Sequence, residues 1–173
     1  MHILITGGAG FIGSNLAAYH LAKKDTVYVV DDLSTGALAN IEPFSADANF
    51  RFEHADIVDW AGLDKAVAWS DRIYHMAALV GVFRVLAEPV RVLQANIAGT
   101  ERVLQLARQG GWKPQIVLAS TSEVYGHGIR CDIRQEENMA AAASCVLPHD
   151  FRESDELIMS SDISLRWNYS TSK

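Results

Sequence analysis

Three sets of residues in this chain have the types and spacing to do chemistry. Gly7, Gly10 and Gly13 form a GxxGxxG series, with Phe11 and Ile12 between the last two glycines. Glycines let a turn tighten and bring backbone N–H groups close to an anion, and a helix beginning there favours negative charge at its N-terminus. A pyrophosphate suits both properties. Asp31 follows about twenty residues beyond the loop, where a carboxylate can accept both hydroxyls of an adenosine ribose. It would repel a 2′-phosphate, and Asp32, Leu33, Ser34, Thr35 and Gly36 supply no cation to offset that repulsion, so the pattern favours NAD over NADP. The third set is Tyr169 and Lys173, four positions apart and therefore on one face of a helix. An ammonium beside a phenol favours the phenolate, which would bring a group with an ordinary pKa of about 10 towards base catalysis near neutrality. Each set has a plain structural alternative: a tight turn, a loop acid, an exposed helix pair. Their order along the chain argues against all three at once.

These residues need elements to hold them. His2 to Thr6 reads as a strand, Phe11 to Lys23 as a helix with Ile12, Leu16 and Leu21 on one buried face, and Thr26 to Val30 as a second strand. Leu33 to Ala39 has loop composition. Phe50 to His54 predicts a third strand, Trp60 to Trp69 a short helix and Arg72 to Met76 a fourth strand. Val85 to Gln109 is helical with an interruption near Pro89, its expected core residues being Val92, Leu93, Ile97, Val103, Leu104 and Leu106; Gln115 to Ala119 predicts a fifth strand. The alternation implies an α/β fold, a Rossmann doubly wound parallel sheet with helices on both faces. Residues 1–126 form the expected core, 127–168 a long insertion or substrate-side loop, and 169–173 the start of the Tyr-Lys helix.

Composition narrows the function classes. A chain of 173 residues with 49% hydrophobic and 21% charged residues suits one globular core. The net charge of −6 without basic runs argues against nucleic acid and anionic membranes and for a small-molecule partner. Cys131 and Cys145 read as reduced thiols without zinc-site spacing, so no metal is expected. The apolar start MHILITGGAGFIG has no cationic leader, which makes the cytoplasm the expected compartment.

With these residues in view, the sequence resembles the extended short-chain dehydrogenase/reductases, the NAD-dependent epimerase/dehydratase family of sugar-nucleotide enzymes. The matching pieces are TGGAGFIGSNL at 6–16, DDLSTG at 31–36, Asp56-Ile57, HMAA at 75–78, Asn96, Gly99-Thr100, STSEVYG at 120–126 and YSTSK at 169–173. The resemblance implies that Asp56 and Ile57 contact adenine, that Ala77 and Ala78 line the pyrophosphate and nicotinamide ribose, and that Asn96 supports the active site. It implies that Thr121 and Ser122 meet the sugar, that Thr121 shares a proton with Tyr169, and that Lys173 holds the nicotinamide ribose. Glu123 is a candidate acid or base for chemistry after oxidation at C4, because a C4 ketone acidifies the neighbouring C5 proton. Thr-Ser-Glu at 121–123 and Arg166-Trp167 resemble the UDP-glucuronate decarboxylase branch, with dehydration as a sister outcome and plain 4-epimerisation as the rival; a non-catalytic NAD-binding module is the alternative of another class. Members of this family usually form homodimers through a four-helix arrangement that would include Val85 to Leu106. They also continue well beyond the Tyr-Lys helix, so the sequence reads as truncated before a C-terminal substrate domain.

Overall fold

His2–Thr6 (β1) and Thr26–Asp31 (β2) are the apolar, β-branched runs HILIT and TVYVVD, buried along nearly their whole length. Strands buried on both faces lose the alternation of a half-exposed sheet, as expected where helices cover a parallel sheet on two sides. A computed structural model describes residues 1–111 and 113–121 together with the short strands at 127–128 and 157–158. Phe50–His54 (β3), Arg72–His75 (β4) and Gln115–Leu118 (β5) complete a five-stranded parallel sheet in the order β3-β2-β1-β4-β5. The strand order reverses direction between β1 and β4, which opens a crevice at the carboxyl ends of those strands.

Side chains alternate across each strand, so the central strands feed two cores. Ile3, Ile5, Val27 and Val29 pack with Ala17 and Leu21 of the helix Phe11–Ala22 (α1). On the other face Leu4, Val30 and Ile73 pack with Leu63 and Val67 of the helix Leu63–Trp69 (α2) and with Val103 from a later helix. Each such fully buried side chain contributes roughly 1.5–3 kcal/mol. The fold class read from the sequence, a parallel sheet with helices on both faces, is borne out.

The later helical stretch divides into Val82–Ala87 (α3) and Pro89–Gln109 (α4). Proline disfavours a helical residue before it, and Glu88 sits at φ −132°, ψ 55°, outside the helix. Two expectations about helix faces are corrected. In α4, Val92 and Val103 are buried, but Ile97 and Leu104 are 45% and 48% exposed. The inner seam of α4 is instead Val92, Asn96, Gly99, Val103 and Ala107, mostly small side chains that let the helix approach its neighbours. In α1, Leu21 is buried while Ile12 is 61% exposed, because its first turn stands at the mouth of the crevice. The helix expected from Trp60 starts three residues later, since Trp60 belongs to a turn whose N–H donates to the Asp56 carbonyl at 2.9 Å.

His127–Gly128 (β6) pairs antiparallel with Leu157–Ile158 (β7). The rest of the expected insertion at 127–168, with Cys131 and Cys145, lies outside the described residues. No helix among the described residues is long and apolar enough to cross a membrane.

Candidate functional site

The crevice is built first by glycine. Gly7 leaves β1 at φ +68°, a left-handed conformation that costs an L side chain energy, and its N–H donates to the Val30 carbonyl at 2.8 Å. A Cβ on Gly7 would stand 2.6 Å from the Ala77 nitrogen, and one on Gly13 would stand 2.5 Å from the Gly7 carbonyl oxygen. The end of β1, the exit from β4 and the first turn of α1 therefore touch backbone to backbone. Gly10 is the residue before α1 and carries no side chain to cap it, so the helix N-terminus presents backbone donors at the crevice.

Asp31 stands at the end of β2 and is only 7% exposed. One carboxylate oxygen accepts the Ala9 N–H at 2.9 Å and the other the Leu33 N–H at 2.8 Å. An ionised carboxylate has about four lone-pair positions, so two remain for a diol. The same residue thus braces the glycine loop and offers acceptors to a ligand. Leu33, at φ +59°, turns its side chain into the α1-side core, and a Cβ on Gly36 would meet Asp31 at 2.9 Å. Both stand behind the acid and not on the cavity wall. Asp32 accepts the Ser34 N–H at 2.9 Å, fixing the start of the following loop.

A cavity of about 370 Å³ occupies the crevice, within the range of small-molecule sites. Gly7, Gly10, Phe11, Ile12 and Gly13 form one wall. Asp31, Asp32, Ser34 and Thr35 form a second, and Asp56, Ile57, Ala77, Ala78 and Asn96 close the far side. Thr121 follows directly on Ala119 and Ser120, which line the cavity beyond the end of β5. Ser122, Glu123, Tyr169 and Lys173 lie outside the described residues. Among the described residues no group of three or more His, Cys, Asp or Glu side chains is placed to hold a metal ion.

Four side chains position this wall, Asn96 and His75 from the matched motifs and Arg102 and Arg91 from outside them. Arg102 of α4 donates from its two terminal nitrogens to the carbonyls of Ile57 and Trp60, both at 2.7 Å, and so clamps the loop that carries Asp56. Asn96 accepts the Leu79 N–H at 2.7 Å and donates to the Leu79 carbonyl at 3.3 Å, holding the segment after Ala78. His75 is buried between the hydroxyls of Thr6 and Thr100, at 2.8 and 3.0 Å, and joins the end of β1 to α4. Arg91 also lines the cavity, paired with Glu88 at 2.7 Å. Glu88 holds the Arg91 pKa above its ordinary value, first through this hydrogen bond and then through its charge, with smaller contributions from Asp32 and Asp56. The Arg102 and His75 contacts have no local spacing that would announce them, since their partners lie between 25 and 69 positions away, whereas Glu88 and Arg91 are three positions apart on one helix.

Comparison with known proteins agrees with this geometry. Residues 4–145 match the family model described as GDP-mannose 4,6 dehydratase. The chain is 36% identical over 126 residues to UDP-glucuronic acid decarboxylase 2 of Arabidopsis thaliana, covering 73% of this chain and 27% of that protein. It is 31% identical over 170 residues to UDP-N-acetyl-alpha-D-glucosaminuronate decarboxylase of Bacillus cytotoxicus, covering 98% of this chain and 46% of that one. The crystal structure of DesIV, a dTDP-glucose 4,6-dehydratase from Streptomyces venezuelae with NAD bound, superposes with a TM-score of 0.77 at 33% identity over 100% of this chain and 48% of that chain. The chain thus spans less than half the length of these relatives. A family match over residues 4–145, a range that includes the glycine loop and Asp31, shows that the chain belongs to the GDP-mannose 4,6 dehydratase family of nucleotide-sugar enzymes.

Proposed function

We propose that the chain is the NAD-binding part of an enzyme that modifies a nucleotide sugar by decarboxylation or dehydration after oxidation at C4. The observation that carries this reading is the cradle made by Gly7, Gly13 and Asp31: a wall where a Cβ would collide, beside a carboxylate with two acceptor positions left. That arrangement fits a pyrophosphate next to a ribose diol. Gly7, Gly10, Phe11, Ile12 and Gly13 would hold the pyrophosphate side, Asp31 and Asp32 the adenosine ribose, Asp56 and Ile57 the adenine. NAD, when bound, supplies a reversible hydride acceptor. Thr121, at the carboxyl end of β5 beside the cavity wall, would hydrogen-bond the sugar hydroxyl and pass its proton to Tyr169, with Lys173 favouring the phenolate. Glu123 would serve as acid or base in the step that follows. The thiol reading of Cys131 and Cys145 fits a cytoplasmic enzyme.

One experiment separates the readings. The full-length protein that contains this chain is incubated with NAD and a panel of nucleotide sugars that includes UDP-glucuronate, and the products are weighed by mass spectrometry. Loss of carbon dioxide or of water is expected. An unchanged mass with inverted C4 stereochemistry would assign a 4-epimerase and leave Glu123 a structural role. Dinucleotide binding with no product from any sugar would favour the non-catalytic module.

A second copy of the chain is the partner expected alongside this reading. Val90, Ile97 and Leu104 stand exposed on α4 at seven-residue intervals, and Phe83 stands exposed on α3. A sustained seven-residue apolar repeat suits the seam between packed helices, and an exposed stripe of this kind marks an interaction face. Ile97→Glu is expected to convert a dimer into a monomer in sedimentation analysis while leaving the melting temperature within about 2 °C, because the side chain is not in the core. A dimer that persists in this variant would remove α4 from the interface.

A further inference from the structure

Asp31 and Asp32 make the ribose end of the cavity acidic, and the loop through Gly36 brings no cation to it. The fold brings cations from elsewhere. Arg91 of α4 is on the cavity wall, and among the described residues lining it Arg91 is the one cation against Asp31, Asp32 and Asp56. Arg84 of α3 reaches the same rim, its guanidinium directed at the Ser34 carbonyl at 3.5 Å. Arg91 is 70% exposed and Glu88, its partner at 2.7 Å, is 46% exposed, so the pair is held by a single surface contact. Exposed ion pairs of this kind are weak and rearrange at little cost, whereas a guanidinium facing a phosphate forms strong paired hydrogen bonds.

We infer that Arg91, restrained by Glu88, sets how strongly this site discriminates between NAD and NADP. The inference rests on the dinucleotide reading and deepens it. A 2′-phosphate placed beside Asp31 and Asp32 meets two like charges, with the Arg84 guanidinium at the rim and the Arg91 guanidinium that α4 delivers on the cavity wall as the opposite charges. Arg91 therefore offsets part of the repulsion, and Glu88 limits how much of its charge is available. An unphosphorylated ribose has no charge at that position and feels Arg91 far less.

The test measures dissociation constants of NAD and NADP by calorimetry at low ionic strength for the wild-type chain, Arg91→Gln and Glu88→Gln. Arg91→Gln is expected to weaken NADP by about tenfold and NAD by less than about threefold, so that the preference for NAD widens. Glu88→Gln is expected to narrow it by about threefold, and both effects should shrink as salt is raised past about 0.15 M. Both side chains are exposed, and the melting temperature of each variant is expected to match the wild type, which separates a binding effect from a folding one. An NAD-to-NADP ratio unchanged in both variants overturns the inference and leaves the dinucleotide reading standing. Failure of the wild-type chain to bind either dinucleotide overturns the reading itself, and the inference with it.

Discussion

Gly7→Ala is expected to lower the melting temperature by about 10 °C and to weaken NAD binding by at least about a hundredfold. Two effects add. A left-handed backbone costs an L residue roughly 1–2 kcal/mol, and Gly7 stands at φ +68°. The new methyl group would also press on the Ala77 nitrogen at 2.6 Å and its Cα at 2.7 Å. Those atoms are main chain at the exit of β4, so they yield only if the loop or the strand end moves, at a typical cost of about 1–3 kcal/mol. A total of about 3 kcal/mol corresponds to roughly 10 °C in a chain of this size. In the proposed reading, moving the loop misaligns the backbone donors that would meet the pyrophosphate, and hydrogen bonds to a charged group are worth about 1.5–3 kcal/mol each. Gly10→Ala supplies the contrast: its Cβ would stand 3.4 Å from the Gly7 carbonyl oxygen, an ordinary contact, at φ −77°. This second variant is expected to melt within about 2 °C of the wild type. Equal melting temperatures and NAD affinities for both variants, measured by calorimetry, would show that the close approach of Gly7 to Ala77 does not govern the site.

The residues that the sequence made legible are those whose chemistry is local. A glycine spacing between a strand and a helix, an acid at the next strand end and the HMAA stretch that begins on the last residue of β4 each declare themselves within a few positions, and the parallel topology then brings them to one crevice. Helix faces were less legible. Ile97 and Leu104 have the same hydropathy as Val92 and Val103, and periodicity gives an apolar stripe without saying which stripe meets the sheet. The choice is made by the small residues Asn96, Gly99 and Ala107, which allow close packing; a Cβ on Gly99 would lie 2.9 Å from the Ile57 side chain. The clamps were not legible at all. Arg102 joins α4 to carbonyls 42 and 45 positions earlier, and Arg91 becomes a cavity residue only when α4 is laid across the strand ends. Nothing in either residue's neighbourhood differs from an ordinary solvated helix cation.

Asp31→Asn is expected to weaken NAD by roughly 10–100-fold while leaving NADP nearly unchanged, so that the preference between them collapses. The wild-type carboxylate can accept two ribose hydroxyls with charge assistance, worth about 1.5–3 kcal/mol each against about 0.5–1.5 kcal/mol for neutral partners. Losing that difference at two hydroxyls costs NAD about 1–3 kcal/mol. NADP has one hydroxyl fewer to lose and gains from removal of the like charge beside its 2′-phosphate. The variant is also expected to be less stable, because Asp31 accepts from both Ala9 and Leu33. An asparagine can satisfy one of these N–H groups, and its NH₂ then faces the other at a cost of about 1–3 kcal/mol. Stability and binding are therefore separated by comparing the two cofactors within the one variant. Loss of loop order weakens NAD and NADP in parallel, whereas loss of the ribose-reading charge moves their ratio. A parallel loss would make Asp31 a brace for the glycine loop and nothing more. A collapsed ratio, set against the widened one expected for Arg91→Gln, would mean that opposite charges on β2 and α4 jointly set the cofactor preference.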